Sequence, residues 1–284
     1  MPVEPPVASP RTLAEAYSLL AEALHRPVAG GTDLLVQITG ELGDAPERVL
    51  DIWHLDELRG IVMESNALVL GALTTYAEIR RSPLIAEFVP AFAEAAATIG
   101  AAQIQNRGTI GGNVMNASPA GDILPLLLAC DAQLVAGTAQ GERRITVREF
   151  WPGYRRTALE PAELLLRIRI PLPAGRQLRY RKVGTRRAQA ISKVVMALAW
   201  QPDGDASWRD VHLALGSVAP TPVRAPGTEA VLEGQAPSEA VADRAASTLA
   251  SELSPIDDVR SSADYRRTVA ARVLHRVLRD EGGW

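Results

Sequence analysis

The stretch from Gln103 to Asp122 constrains the fold of this chain more than any other. Glycine, asparagine and proline recur in it at short intervals, at Gly108, Gly111, Gly112, Asn113, Asn116, Pro119 and Gly121. Because these residues favour turns and interrupt regular structure, neither one helix nor one strand is expected to run through the whole stretch.

Two glycine-rich turns suggest a site for phosphate groups. We call Ala29-Gly30-Gly31-Thr32-Asp33 the first glycine segment and Gly108-Thr109-Ile110-Gly111-Gly112-Asn113 the second. Glycine lets backbone N–H groups approach phosphate oxygens closely, so two such segments could hold a dinucleotide pyrophosphate from two sides. The Rossmann and Walker patterns are absent, so spacing alone leaves simple tight turns as the alternative.

Apolar spacing predicts the elements of the N-terminal half. Ser9-Pro10 is expected to open a helix that ends near His25, with Leu13, Ala16, Tyr17, Leu20 and Leu24 on its buried face. Strands are expected at 28–29, 49–52 and 68–72, a helix or apolar turn at 34–36, and a helix at 90–101. Thr75 and Glu78 have the spacing of a capping box, which predicts another helix there.

Alternation predicts strands in the C-terminal half at 164–171 and 211–215. A partner of the first is expected at 178–183, and a continuous apolar run predicts another strand at 194–200. Helices are expected at 238–253 and 262–279. The arginines of the last helix are interpreted as its solvated side, with a protein interface as the alternative: Arg266, Arg272, Arg276 and Arg279. Residues 216–235 are expected to form a loop. A boundary is expected near 172–178, where prolines and polar residues cluster.

Composition narrows the functional class. A net charge of -3 gives no reason to expect a nucleic-acid partner. The single Cys130 excludes a disulfide or an iron–sulfur cluster held by this chain alone, and it favours a reducing, cytoplasmic location. The four histidines show no metal-ligand spacing. The residues from Met1 to Pro6 are unlike a secretory signal, and no apolar run reaches the length of a membrane span.

Six blocks in order carry a resemblance to a known family. They are AGGTDLL at 29–35, NRGTIGGNVMNASPAGDILPLLLACDA at 106–132, ELLLRIRIP at 163–171, YRKVGTRRAQAISKV at 180–194, LALGSVAPTPVRA at 213–225 and DVRSSADYRR at 258–267. Together they resemble the FAD-binding subunits of molybdenum hydroxylases of the xanthine and carbon monoxide dehydrogenase type. The resemblance covers nearly the whole chain.

The resemblance implies an α+β fold. It implies an FAD-binding domain over residues 1–175, related to vanillyl-alcohol oxidase and the cell-wall precursor reductase MurB (the PCMH type), with subdomains at about 1–55 and 56–175. A small α+β C-terminal domain of the CO dehydrogenase flavoprotein type would follow at 176–284.

The family's cofactor positions carry over to fifteen residues here. Those expected at the FAD pyrophosphate are Val28, Ala29, Gly30, Gly31, Thr32, Asp33, Thr109, Gly112 and Asn113; those expected elsewhere along the cofactor are Ile99, Gly100, Asn116, Asp122, Leu165 and Lys182. Each has a plainer alternative. Asp122 could cap the following helix, Lys182 could be an exposed strand residue, and Asn113 could adopt a left-handed turn.

The resemblance also implies a role in electron transfer. A large subunit would hold the molybdenum cofactor, a small subunit would hold [2Fe–2S] clusters, and this chain would pass electrons to NAD, oxygen or a quinone. Because no histidine lies within 29–33, non-covalent FAD is expected. No catalytic acid–base pair and no metal site are expected in this chain. A standalone flavin oxidoreductase of the same fold and a flavin-free scaffold subunit are the alternatives.

Overall fold

The computed structural model describes residues 5–40, 45–186, 189–204 and 206–284, and it builds them around three β-sheets. The first four residues, part of the segment judged unlike a secretory signal, lie outside this description. Among the described helices, none combines the length and apolar character needed to cross a membrane.

The first sheet is parallel, with strand order β1-β3-β2. Its elements are β1 (Val7–Ala8), α1 (Leu13–Glu22), β2 (Arg26–Val28), α2 (Leu34–Thr39) and β3 (Val49–Asp51). The expected helix start at Ser9-Pro10 was wrong. Thr12 caps α1 instead, because its hydroxyl accepts the backbone N–H of Glu15. The helix ends at Glu22, so Leu24 lies beyond it and is exposed.

The second sheet is antiparallel, in the order β4-β5-β8-β6-β7, and it carries the main core on one face. Its strands are β4 (Ile61–Glu64), β5 (Ala67–Gly71), β6 (Gln133–Thr138), β7 (Gly141–Thr146) and β8 (Leu164–Pro171). Along β8 the side chains of Ile168 and Ile170 are buried while Arg167 and Arg169 are only partly buried. That alternation is the reason the strand was predicted with its observed bounds.

Helices cover the core face of this sheet, and a 3-10 helix (Asp56–Leu58) precedes it. They are α3 (Tyr76–Arg81), α4 (Pro83–Phe88), α5 (Pro90–Thr98), α6 (Ala102–Arg107), α7 (Ile110–Asn116), α8 (Leu124–Ala129) and α9 (Val147–Phe150). The predicted capping box is confirmed. Thr75 accepts the N–H of Glu78, and the Glu78 carboxylate accepts the N–H of Thr75. The reciprocal bonds fix where α3 begins.

The third sheet is antiparallel, in the order β12-β11-β10-β9, and two long helices bury one of its faces. Its elements are β9 (Gln177–Val183), β10 (Val194–Pro202), β11 (Trp208–Gly216), β12 (Val223–Arg224), α10 (Pro226–Leu232), α11 (Glu239–Glu252) and α12 (Ala263–Gly282). Ser238 and Ser262 cap α11 and α12 at the predicted positions.

Three expectations for this part were wrong. Strand β9 pairs with β10 and not with β8, because the chain leaves the second sheet after Pro171. The segment 216–235 is not a simple loop but holds β12 and α10. Arg266 is not on the solvated side of α12, since it is 4% exposed and donates to the backbone carbonyl of Ser217 at 2.6 Å.

Candidate functional site

One deep cleft of about 1150 Å³ lies where the three sheets meet. Its walls come from the first glycine segment, from residues 99–122, from the start of β8, and from both ends of the loop joining β9 to β10. Sites for small ligands commonly measure roughly 300–1,000 Å³. The cleft therefore has room for a ligand of dinucleotide size.

Every residue that the sequence assigned to the cofactor lines this cleft. They are Val28, Ala29, Gly30, Gly31, Thr32, Asp33, Ile99, Gly100, Thr109, Gly112, Asn113, Asn116, Asp122, Leu165 and Lys182. The structure thus brings together residues that are far apart in the sequence, since Val28 and Lys182 are separated by 154 positions. Contact of each one with a cofactor stays a prediction.

The first glycine segment joins β2 to α2 and presses against the second. A side chain at Gly30 would overlap the carbonyl oxygen of Arg107, so only glycine permits this backbone contact. Gly31 has a φ of 73°, in the left-handed region that favours glycine. In the described part of the chain, the backbone N–H groups of residues 30–33 donate to no protein acceptor. They are free donors at the edge of the cleft.

The second glycine segment is not the open loop that the sequence suggested. Thr109 caps α7, and its hydroxyl accepts the N–H of Gly112 at 3.0 Å. The N–H of Ile110 donates to the carbonyl of Thr74, and that of Gly111 to the carbonyl of Ala72, both at 2.9 Å. Because these donors are already used, this segment cannot supply the set of free N–H groups expected of it.

The glycines of this segment have different roles. A side chain at Gly111 would crowd the carbonyl of Ala72, so Gly111 allows α7 to pack on the end of β5. A Cβ at Gly112 would meet only the hydroxyl of Thr109, at 3.0 Å. Since Gly112 lines the cleft, its absent side chain leaves space for a ligand.

Two asparagines of α7 face the cleft with different partners. The side-chain oxygen Oδ1 of Asn113 is buried and has no hydrogen-bond partner among the residues that the structure describes. An unsatisfied buried acceptor is costly, so a ligand that donates a hydrogen bond there suits the site. Asn116 Oδ1 accepts a hydrogen bond from Arg155 Nη1 at 3.0 Å.

Asp122 and Lys182 form a buried ion pair in the lining of the cleft. Lys182 Nζ lies 2.6 Å from Asp122 Oδ2, and the Lys182 side chain is 6% exposed. Both plainer alternatives are therefore wrong. Lys182 is not exposed, and the residue at the start of α8 is Ile123, with no side-chain cap. Burial raises the pKa of Asp122, an effect that Lys182 and a hydrogen bond from Ser192 oppose.

The pairing changes the electrostatic role expected of Lys182. An unpaired cation would favour a negatively charged, reduced flavin beside it. Because the Asp122 carboxylate balances this charge, the site presents a near-neutral pair as long as Asp122 is ionised.

Sequence reasoning missed several residues of the cleft. Tyr76, Arg155 and Ser192 line it, as do Ser217 and Arg266 from the C-terminal sheet and helix. Ser192 and Arg266 lie inside sequence blocks that carry the family resemblance, and this position was the signal by which they could have been predicted. Neither histidine nor cysteine lines the cleft in the described part of the chain. The described histidines, cysteine and acidic residues also form no group that could hold a metal ion.

Two family models match the chain in succession. Residues 3–173 match the FAD binding domain in molybdopterin dehydrogenase. Residues 179–280 match the CO dehydrogenase flavoprotein C-terminal domain. Together the two matches cover nearly the whole chain.

Characterised relatives are similar over the same length. The chain is 34% identical to a glyceraldehyde dehydrogenase medium chain of Sulfolobus acidocaldarius over 255 residues, 90% of each protein. It is 32% identical to a carbon monoxide dehydrogenase medium chain of Hydrogenophaga pseudoflava, covering 95% of this chain and 94% of the relative. The solved structure of carbon monoxide dehydrogenase from Hydrogenophaga pseudoflava superimposes with a TM-score of 0.93 at 31% identity, covering 100% of this chain and 99% of that one.

Proposed function

The chain belongs to the family of FAD-binding subunits of molybdenum hydroxylases of the carbon monoxide and xanthine dehydrogenase type, and we propose that it is the electron-transfer subunit of such an enzyme. In this role it passes electrons from [2Fe–2S] clusters of a partner subunit to an external acceptor. The family membership confirms the expected α+β fold with an FAD-binding domain and a C-terminal domain, and it identifies the chain as an oxidoreductase subunit.

The observation that carries the proposal is the convergence of complementary groups in one cleft. The free N–H donors of residues 30–33 suit the FAD pyrophosphate, and the unpartnered Oδ1 of Asn113 suits a ligand donor. Leu165 and the Asp122–Lys182 pair border the end proposed for the isoalloxazine ring. Bound in this cleft, FAD supplies both one-electron and two-electron redox chemistry.

The residues of the chain serve to bind and position this cofactor. Ile99 and Gly100 are assigned to the ring side, and Val28, Ala29 and Thr32 to the pyrophosphate side; all five line the cleft. Since no histidine or cysteine of the described chain lines the cleft, the proposed attachment is non-covalent. The division of the chain near residue 175 is part of the proposal. It is supported by the gap between the matched ranges, which end at 173 and resume at 179.

Partner subunits complete the proposed enzyme. This chain has one cysteine, Cys130, which is buried in the core. It therefore cannot supply the four thiolates of an iron–sulfur cluster, and the clusters are assigned to a small subunit and the molybdenum cofactor to a large one. The names of both relatives, each a medium chain, support this division. NAD, oxygen and a quinone are the proposed acceptor classes, and a cytoplasmic location stays a prediction from the single cysteine.

Co-expression with the products of the neighbouring genes tests the proposal. The chain is expected to co-purify with a molybdenum subunit and an iron–sulfur subunit and to show the visible absorbance of flavin. After denaturation, the yellow colour should stay in solution and not on the precipitated protein. A chain that purifies alone and turns over its own substrate would be a standalone oxidoreductase. A complex that retains its subunits without flavin would make the chain a scaffold.

A further inference from the structure

A serine outside the predicted set touches the buried ion pair of the cleft. Ser192 Oγ donates to Asp122 Oδ1 at 2.6 Å, while Lys182 Nζ donates to the other carboxylate oxygen. Ser192 is 1% exposed, so solvent does not compete for this bond. The Asp122 carboxylate is thus held at both of its oxygens, by a charged donor and by a neutral one.

The C-terminal domain fixes the position of Ser192. The hydroxyl of Ser217, at the end of β11, donates to the carbonyl of Ser192 at 3.0 Å. Arg266 of α12 donates to the carbonyl of Ser217 at 2.6 Å and to the carbonyl of Lys193 at 3.2 Å. Asp258 Oδ1 accepts from the same guanidinium at 2.7 Å. This chain of bonds runs from the C-terminal helix to the cleft and leaves Ser192 little freedom to move.

The charged state of Asp122 depends on few groups. Among the described residues, those facing it are Lys182 and Tyr180 from β9, Tyr76 from α3, and Ser192. Burial raises the pKa of Asp122, and the bonds from Lys182 and Ser192 act in the opposite direction. Both tyrosines are buried with raised pKa values, so they stay neutral. Ser192 is therefore the neutral donor that favours the carboxylate form.

We propose that Ser192 is a positioning residue that keeps Asp122 ionised and paired with Lys182, and that it thereby sets how the potential of a flavin bound in the cleft responds to pH. This inference rests on the proposed function. When Asp122 gains a proton, the charge of Lys182 is no longer balanced. It then favours the negatively charged reduced flavin, and the midpoint potential rises relative to the paired state.

Removing the serine hydroxyl should move this transition. A hydrogen bond to a charged group shifts a pKa by about one unit or more. As the pH falls, protonation of Asp122 adds to the rise of the midpoint potential. In Ser192→Ala this added rise should therefore begin about one pH unit higher than in the wild-type protein. Ser192→Thr retains the donor and should restore the wild-type curve. Ser251→Ala, an exposed serine on α11, is the matched control and should not differ from the wild-type protein.

The experiment is a spectroscopic redox titration of the FAD-loaded full chain at several pH values, after the ratio of flavin to protein is measured. Asp122→Asn removes the titrating group, so adding Ser192→Ala to it should change nothing further. A shift of the potential by Ser192→Ala within the Asp122→Asn background would overturn the inference. Should Ser192→Ala fail to fold, Ser217→Ala tests the same point, because it frees the carbonyl of Ser192 and should shift the curve in the same direction.

The two proposals fail in different ways. A wild-type chain that retains no flavin contradicts the proposed function, and the inference with it. A chain that binds flavin, but whose Ser192→Ala or Ser217→Ala curve coincides with that of the wild-type protein, contradicts the role of Ser192 alone.

Discussion

Lys182 Nζ lies 2.6 Å from Asp122 Oδ2, and this ion pair joins a strand of the C-terminal sheet to the turn that precedes α8. Both side chains are nearly inaccessible to solvent. Removal of either partner leaves a buried charge without compensation, which costs more than the pair itself contributes.

Asp122→Ala should therefore weaken FAD retention and destabilise the fold. Breaking a buried pair by removing one partner costs about 3–5 kcal/mol, and the same range is expected for Lys182→Met. The double variant should cost less than the sum of the two single changes, because no lone charge remains. Chemical denaturation of the apoprotein and the flavin content after purification measure these effects. Asp264→Ala, whose side chain is 92% exposed, is the control. Strictly additive single and double variants would show that the pair does not act as a unit.

Gly30→Ala should separate the two glycine segments. The added methyl group would overlap the carbonyl oxygen of Arg107, so the backbone must shift. Overpacking of this kind costs about 1–3 kcal/mol of stability. The N–H donors of residues 30–33 would move with the shift, and flavin retention should fall by about tenfold or more, the equivalent of about 1.4 kcal/mol.

Gly204→Ala is the matched control for this substitution, because a Cβ there meets no atom of the described residues within 4 Å. Equilibrium dialysis of FAD against both variants gives the comparison. Equal affinities in the two variants would show that contact between the glycine segments is not needed for binding.

Asn113→Ala should separate binding from folding. The Oδ1 atom of Asn113 is buried without a partner in the described part of the chain, so removing it relieves an unsatisfied acceptor that costs about 1–3 kcal/mol. The apoprotein should unfold at the same or a higher denaturant concentration than the wild-type protein, while its FAD affinity falls. A variant that loses stability and keeps its affinity would show that Asn113 supports the fold and not the ligand.

Arg155→Ala should weaken FAD binding at low salt more than at high salt. Arg155 has a φ of 53°, an uncommon conformation for arginine, and it donates to Asn116. Burial raises the pKa of Asp33, and the charge of Arg155 opposes that rise, so the guanidinium acts on the first glycine segment as well. Its loss should reduce affinity by about tenfold, or about 1.4 kcal/mol.

Arg156→Ala removes a neighbouring exposed arginine that does not line the cleft, and it should bind FAD like the wild-type protein. Arg155→Lys retains the charge and should recover part of the affinity. Because salt screens exposed charges, titrations at two salt concentrations identify the electrostatic part. If Arg155→Ala and Arg156→Ala lose the same affinity for FAD, the contribution of Arg155 comes from the net charge of the chain and not from its position in the cleft.

Local patterns predicted much of this fold. Strand β8 was predicted with its observed bounds because isoleucine and arginine alternate along it. The capped starts of α3, α11 and α12 were visible in the sequence as well, because serine or threonine precedes each helix. These features depend on neighbours in the chain, so a single sequence contains them.

The remainder depends on contacts between distant residues. The Asp122–Lys182 and Asp122–Ser192 contacts join positions 60 and 70 residues apart. The glycines of α7 suggested a loop, yet the Thr109 cap and the packing of Gly111 on Ala72 stabilise a short helix. Arg266 is buried because the carbonyls of Ser217 and Lys193 accept its hydrogen bonds, and spacing along α12 could not show these acceptors.

His212 should make the free energy of unfolding depend on pH. It is buried on β11, where its ring lies 3.0 Å from Asp210 and 3.3 Å from Asp131 at the end of α8. Burial, together with the charges of Arg224 and Arg176, lowers the pKa of His212 despite the opposing effect of Asp131. Its Nε2 lies 3.0 Å from Asp210 Oδ1, while its Nδ1 lies 2.7 Å from Arg176 Nη2 and 2.9 Å from the carbonyl oxygen of Ala129.

The sign of the effect follows from this lowered pKa. An unfolded histidine titrates near pH ~6.5, so below that pH the unfolded chain binds a proton that the folded chain resists. The free energy of unfolding should therefore fall as the pH drops from about 6.5 toward the lower folded pKa. His212→Gln removes this titrating group, so the free energy of unfolding should change less with pH between pH ~5 and ~7. It should also lower stability at pH ~8 by about 1 kcal/mol through a lost hydrogen bond.

Denaturant midpoints measured across this range test the prediction, with His54→Gln as the exposed control that should keep the wild-type slope. The contribution of Asp131 to stability is lost in a lower pH range than that of His212. Burial would raise the pKa of Asp131, but Arg148 and the charges around it outweigh burial and lower it. Its stabilising contribution is thus complete above about pH 4 and is lost only in stronger acid. If the denaturant midpoint of His212→Gln changes with pH as much as that of the wild-type protein, another group causes the pH dependence.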